Sequence, residues 1–210
     1  MAKIEPFEKH TGQYENWFVK NIYAYQSEVR AIKEILPDFK DGIEIGIGSG
    51  KFAQPLGIKF GVEPSYKMRK IAESKGIKVV DSVAEKLPFR NGSFDLVLMV
   101  TTLCFLDDVK KAFSEVYRIL KPGGFFINGF VDRNSKIGKI YQKNKQKSVF
   151  YRVAIFFTTD KVINLLKEAG FKRFEFRQTI FNTLDKINGI EEIRKGYGEG
   201  SFVVVRAQKL

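Results

Sequence analysis

Apolar side chains recur at three- and four-residue steps from Phe18 through Ile22, Tyr25, Val29 and Ile32 to Leu36. That spacing lays one stripe along a helix and predicts a helical segment over 14–36, stopped by Pro37. Trp17 and Tyr23 fall beside the stripe. From Gly42 the pattern changes to short apolar runs punctuated by glycine. Residues 43–47 predict a first strand that runs into Gly46-Ile47-Gly48-Ser49-Gly50, followed by a brief helix interrupted at Pro55. Residues 59–63 predict a second strand, after which Ser65 caps a helix ending near Gly76. A third strand covers 77–80. Phe94–Val100 is apolar almost throughout, as a strand buried on both faces requires. Asp107 or Asp108 caps the next helix, whose inward positions are Val109, Ala112, Phe113, Val116 and Leu120. Lys121-Pro122-Gly123-Gly124 then turns the chain into a fifth strand over 125–131. The tail predicts a helix over 158–169 closed by Gly170, then two late strands, 171–181 and Phe202–Gln208. A loop holding Gly196, Gly198 and Gly200 separates those strands.

Strands that alternate with helices after a glycine-rich first turn indicate an α/β, Rossmann-like doubly wound sheet. The 210 residues fit one domain over 1–210, with a helical N-terminal segment over 1–40. Apolar residues make up 44% and charged residues 29%, with 20 Phe and 8 Tyr, enough for a packed core. No apolar run approaches the roughly 18 residues of a membrane span. The first ten residues have no apolar stretch of the kind a signal peptide carries. The expected location is the cytoplasm, with no membrane partner. The single cysteine, Cys104, and the single histidine, His10, exclude disulfide frameworks and the usual metal clusters, so no metal is expected.

Glycines after a parallel strand let the backbone turn tightly and approach a ligand closely. A phosphate-binding P-loop needs Lys-Ser/Thr after its last glycine, and Lys51 is followed here by Phe52. A dinucleotide fingerprint counted from Gly46 would put its third glycine where Lys51 stands. The remaining arrangement is G-x-G-x-G with an acidic residue, Glu44, two positions before the first glycine.

With that loop the chain resembles the class I S-adenosylmethionine-dependent methyltransferases, especially the type 11 group that includes quinone-pathway enzymes. Glu44-Ile-Gly46-Ile-Gly48-Ser-Gly50 is similar to the family's first motif and Gly61-Val-Glu63-Pro64-Ser65 to its second. Ala84-Glu85-Lys-Leu87-Pro88-Phe89, then Ser93-Phe94-Asp95-Leu-Val97, resemble the third and fourth. Arg118-Ile-Leu-Lys121-Pro122-Gly123-Gly124 resembles the fifth, and Ala169-Gly170-Phe171 the late Gly-Phe signature. The likeness is dense over 40–130. It implies seven strands in the order 3-2-1-4-5-7-6, the last antiparallel, and a substrate cap inserted after strand 5, over 132–157. The interval from Gly50 to Glu63 is about one helical turn shorter than the family's, so the helix there must be short.

The resemblance implies S-adenosylmethionine as cofactor. Glu63 would accept hydrogen bonds from both ribose hydroxyls, and Glu44, Gly46, Gly48 and Gly50 would hold the methionine end. Pro64 and Ser65 would shape the adenosine pocket, Ala84 and Glu85 would flank the adenine, and Thr101, with Thr102, would meet the methionine moiety. Methyl transfer needs alignment and exclusion of water more than a general base, so no catalytic residue is assigned. Tyr14, Trp17 and His10 belong to a segment that often folds over the cofactor. Cys104, in Leu-Cys-Phe, lacks the context of a nucleophile and is expected as a small buried hydrophobe.

The net charge is +12. Between Asp132 and Asp160 no acidic residue occurs, while Arg133, Lys136, Lys139, Lys143, Lys145, Lys147 and Arg152 supply seven positive charges, with Tyr141, Phe150 and Tyr151 interleaved. That segment suits either a small anionic metabolite or RNA, through phosphate contacts and stacking over 133–152, or is a solvated basic face. Two further readings stay open: an RNA methyltransferase, and a cofactor-binding protein without turnover.

Overall fold

The computed structural model describes residues 3–210. Glu5–Lys9 (α1), Thr11–Lys20 (α2) and Ile22–Lys33 (α3) precede the sheet. Then come Gly42–Ile45 (β1), Phe60–Val62 (β2), Tyr66–Ser74 (α4), Lys78–Val80 (β3), Phe94–Val100 (β4), Val109–Ile119 (α5) and Leu120–Val131 (β5). Lys136–Lys143 (α6), Thr159–Glu168 (α7), Lys172–Thr179 (β6), Arg194–Lys195 (β7) and Phe202–Gln208 (β8) complete the chain.

The strands lie in the order β3-β2-β1-β4-β5-β8-β6-β7. The first five are parallel, and β8 runs antiparallel to both neighbours. Apart from β7, this is the expected order. The additional strand, β7, is two exposed residues at the sheet edge, paired with Arg177 and Gln178. Its shortness and its flanking glycines hide it from a periodicity reading.

Alternate side chains of each strand enter opposite layers, as a doubly covered sheet demands. Val97, Met99, Phe126, Val203 and Val205 pack with Phe113 and Val116 of α5 and with Val162 and Leu166 of α7. Leu96, Leu98, Val100, Ile127 and Val204 pack on the other face with Phe18 of α2, Val29 and Ile32 of α3, and Ala72 of α4. Ser65 and Asp108 cap α4 and α5 through bonds from Met68 N–H and Lys111 N–H.

The single helix expected over 14–36 is two, α2 and α3, with the separate short α1 before them. The break falls at Asn21, whose side-chain and backbone N–H groups both donate to the Trp17 carbonyl at 2.9 Å. Asparagine competes with the helix for its own carbonyls in this way. The break leaves Ile22, an expected stripe residue, exposed. Between Gly50 and Glu63 the expected short helix is one 3-10 turn, Gln54–Leu56, which Pro55 begins and Gly57 ends with φ +74°.

Residues 132–157 leave the sheet after β5 and return to α7. Asp132 clasps the two ends together. Its Oδ2 accepts from the Thr159 N–H and hydroxyl at 2.7 and 2.6 Å, and Arg133 N–H reaches the Phe157 carbonyl at 2.9 Å.

Candidate functional site

A cavity of about 490 Å³ opens where the parallel strands end, at the point where the strand order reverses between β1 and β4. Ligands of open α/β sheets bind at that place, and the volume lies within the ~300–1,000 Å³ usual for small-molecule sites. Gly46 and Gly48 follow β1, Glu63 and Pro64 follow β2, and Thr101 and Thr102 follow β4, all in its wall.

The loop after β1 has its shape because three glycines, Gly46, Gly48 and Gly50, adopt left-handed conformations. Gly46 has φ +68°, and a β-carbon there would stand 2.3 Å from Thr102 Cγ2; the Thr102 hydroxyl donates to the Gly46 carbonyl at 3.1 Å. Gly48 has φ +55°, and its β-carbon would stand 3.0 Å from Tyr14 Oη. A cradle that only glycine leaves open thus lies beneath the Tyr14 hydroxyl. Glu63, buried, accepts from Gly48 N–H and Ser65 N–H, each at 2.9 Å. Burial raises its carboxyl above the ordinary value, and those two N–H groups oppose the shift. A carboxylate has about four lone-pair sites, so two acceptors remain for a ligand. Thr101 has φ +52°, unusual for a β-branched residue, a strain of about 1–3 kcal/mol of the kind found at ligand sites.

Three expected site residues stand behind the wall rather than in it. Glu44 is buried under the loop; burial pushes its carboxyl well up, a shift the Ala53 N–H opposes and the Glu63 charge reinforces. A β-carbon on Gly50 would meet Ile77 Cδ1 at 2.6 Å, away from the cavity. The Ser65 hydroxyl accepts from Met68 N–H and donates to Glu8 Oε1, tying α1 to the start of α4. Ala84 and Glu85 do line the cavity, and Glu85 Oε1 accepts from the N–H groups of Asp107 and Asp108 at 2.9 and 3.2 Å.

A family model described as a methyltransferase domain matches residues 43–128. An uncharacterized protein of Methanocaldococcus jannaschii is 46% identical over 97% of this chain and 98% of its own length. The demethylmenaquinone methyltransferase of Chlorobaculum parvum is 30% identical over 67% of this chain and 69% of its own. A crystal structure from Thermotoga maritima, named a S-adenosylmethionine-dependent methyltransferase and "possible histamine N-methyltransferase", superposes with TM-score 0.96 and 49% identity. It covers 99% of this chain and 100% of its own.

The chain belongs to the class I S-adenosylmethionine-dependent methyltransferases.

In this methyltransferase the far end of the cavity is built from elements outside the matched motifs. Ile4 and Phe7 close it from the N-terminus, Tyr14, Trp17 and Phe18 from α2, and Glu28 from α3. Tyr141, Phe150, Tyr151 and Phe156 come from the cap. The Tyr141 and Tyr151 rings lie 4.4 Å apart, and Phe7 meets Phe105 and Phe150 at 5.0 and 5.5 Å. The sequence singled out Tyr14 and Trp17 but not Glu28, Phe7 or Ile4. A signal for Glu28 existed: Phe18, Asn21, Tyr25, Glu28 and Ile32 follow one another at three- and four-residue steps, which puts a carboxylate on the apolar face. His10 lies outside the wall, edge-on to Phe150 at 6.4 Å. Cys104 lines the cavity, and burial pushes its thiol up to about 12, so it is no nucleophile near neutrality.

The cations of the cap turn away from this chamber. Arg133, Lys136, Lys139, Lys143, Lys147 and Arg152 are exposed, and none lines the cavity. Among the described residues, no group of three or more metal-ligating side chains gathers and no helix is long and apolar enough to cross a membrane.

Proposed function

We propose that the protein transfers a methyl group from S-adenosylmethionine to a small organic acceptor held in the aromatic end of the cavity. The supporting observation is the continuity of that cavity from the strand ends at Gly46, Gly48 and Glu63 to the chamber under the cap. The cofactor supplies a methyl group already activated by positive sulfur.

The protein's own residues bind, orient and keep water out. The Glu63 carboxylate has acceptors free for a ribose diol, and Ala84 and Glu85 stand where an adenine would lie. Gly46, Gly48 and Thr101, overlaid by the Tyr14 hydroxyl, leave room for the amino-acid end. Glu44, Gly50, Pro64 and Ser65 set the form of the loop and of the turn after β2. Desolvation by the aromatic lid strengthens every electrostatic contact within.

Calorimetric titration with S-adenosylmethionine and S-adenosylhomocysteine tests the cofactor. Isotope transfer from labelled S-adenosylmethionine into amines, phenols, quinols and carboxylates tests the acceptor class. Histamine and demethylmenaquinone, named for two relatives, head the panel. Micromolar cofactor binding with label in a small molecule is the expected result. Cofactor binding without any labelled product would favour the protein without turnover.

A second reading, RNA as acceptor, is supported by the exposed cations of the cap. It requires label in RNA and binding that weakens steeply with salt. Charge reversal at Lys139, Lys143 and Lys147 would then abolish transfer, and would leave small-molecule transfer unchanged.

A further inference from the structure

Glu28 is the one side chain of the acceptor chamber that the methyl-transfer reading leaves without a task. It is 5% exposed, lines the cavity, and its Oε2 is sealed from solvent with no hydrogen-bond partner. A buried carboxylate without a partner is costly, and such groups are otherwise paired with a cation. The chamber provides none. Lys3 is the only Lys, Arg or His among the described lining residues, and its Nζ is bound to the Leu106 carbonyl at 3.1 Å. Around Glu28 the structure sets rings instead. Tyr14, Tyr141 and Tyr151 line the same cavity, and the Glu28 charge adds to the burial that raises each of their hydroxyls. Trp17 and Phe18 line the cavity as well.

A single carboxylate among aromatic faces is the chemistry that recognises an ammonium group on an apolar body. The carboxylate supplies the charge partner and the rings supply cation–π attraction and contact area. We propose that the methyl acceptor is a small protonated amine with an apolar body, and that Glu28 is the group that binds its nitrogen. This rests on the reading of the cavity as a methyl-transfer site. It replaces the anionic metabolite suggested by net charge, because the positive charge lies on the outside of the cap.

The same carboxylate has a proton to move. An ammonium nitrogen has no lone pair. Near neutrality, before the amine enters, burial holds Glu28 protonated, so the entering ammonium displaces that proton to solvent as the ion pair forms. Transfer of an ammonium proton to the Glu28 carboxylate then breaks one N–H bond, leaves that electron pair on nitrogen and forms an O–H bond. Both charges vanish, and the amine faces the cavity as a neutral nucleophile. Burial already holds the Glu28 carboxyl at about 8, between an ordinary acid and an ordinary amine, which suits such an exchange.

Trp17 is the only tryptophan and lines the chamber, so its fluorescence reads occupancy without turnover. Protein saturated with S-adenosylhomocysteine is titrated with phenethylamine and histamine, and with 2-phenylethanol and phenylacetate as matched neutral and anionic probes. The expected result is amine binding about tenfold or more tighter than the alcohol, with the acid weakest. In Glu28→Gln that preference collapses while S-adenosylhomocysteine affinity, measured by calorimetry, stays unchanged. Glu28→Asp keeps part of it, and thermal melts confirm that both variants fold. Equal binding of amine and alcohol to the wild type, or no amine binding at millimolar concentration, overturns the proposal. So does a parallel loss of S-adenosylhomocysteine affinity in Glu28→Gln, which would make Glu28 a partner of the cofactor and leave the methyltransferase reading standing. Failure of wild-type protein to bind S-adenosylhomocysteine would overturn that reading as well.

Discussion

At the glycine-loop end of the cavity the wall is main chain and strand-terminal side chains, and at the Glu28 end it is side chains delivered by three helices and the cap. The first end is fixed by φ angles, by a carboxylate bonded to two backbone N–H groups, and by parallel strands on either side. The second is fixed by ring packing and by a clasp at the neck of an insertion. A ligand common to a whole family is met by backbone, whose geometry tolerates few sequences. A ligand particular to one member is met by side chains, which can change one at a time without moving the sheet.

The comparison breaks most visibly through pH. The Glu28 carboxyl lies near 8 in the folded protein against about 4.5 unfolded, because burial penalises its charge. Between those values the folded state holds a proton that the unfolded state has released. Its contribution to stability is therefore intact below about pH 4.5 and is lost as pH rises through about 8. The full loss is about 5 kcal/mol. Denaturant melts should show Glu28→Gln near wild type at pH 5 and more stable by several kcal/mol at pH 9. A constant difference across pH would show that Glu28 is not held neutral.

Next in size is Glu63→Ala. It removes the acceptor of the Gly48 and Ser65 N–H groups, so calorimetry should find S-adenosylhomocysteine affinity down about 100-fold, roughly 3 kcal/mol. Amine selectivity at the other end should survive. Loss of both together would mean the ends are not separable. Asp132→Ala should act the other way round. Three hydrogen bonds at the cap neck vanish, which should cost about 2 kcal/mol and open 133–157 to proteolysis, with cofactor affinity changed less than twofold. The smallest effect is expected at Cys104, between the two ends. Its thiol should resist disulfide reagents at pH 7.5 until the protein unfolds, and Cys104→Ser should leave methyl transfer within about twofold.

The same division governs what could be read from the chain. Phe94–Val100 and Phe202–Gln208 were bounded residue for residue by their apolar runs, and the sheet order followed from the five ordered motifs. Gly46, Gly48 and Glu63, marked by the pattern that backbone constraint leaves in the sequence, line the cavity. Glu44 and Gly50 belong to that pattern too, yet stand behind the cavity wall, since a motif records what shapes a loop as well as what touches a ligand. Glu28 carried only a weak signal, one carboxylate on an apolar stripe, and which cavity it faced depended on tertiary packing. The cap was left open in the sequence between a ligand-binding and a solvated basic face. Its charge was plain in the sequence, but α6 turns Lys136, Lys139 and Lys143 outward and Tyr141 inward, a choice that composition does not encode.

The Asp132 clasp draws the two ends of the cap together at one neck. Its first and last residues lie side by side, so a loop of another length or content could replace it while β5 and α7 keep their places. Exchange of this one segment between relatives would change the rings over the chamber while Glu28 on α3 stays in place. Inheritance of the sheet and inheritance of the substrate need not travel together in this lineage.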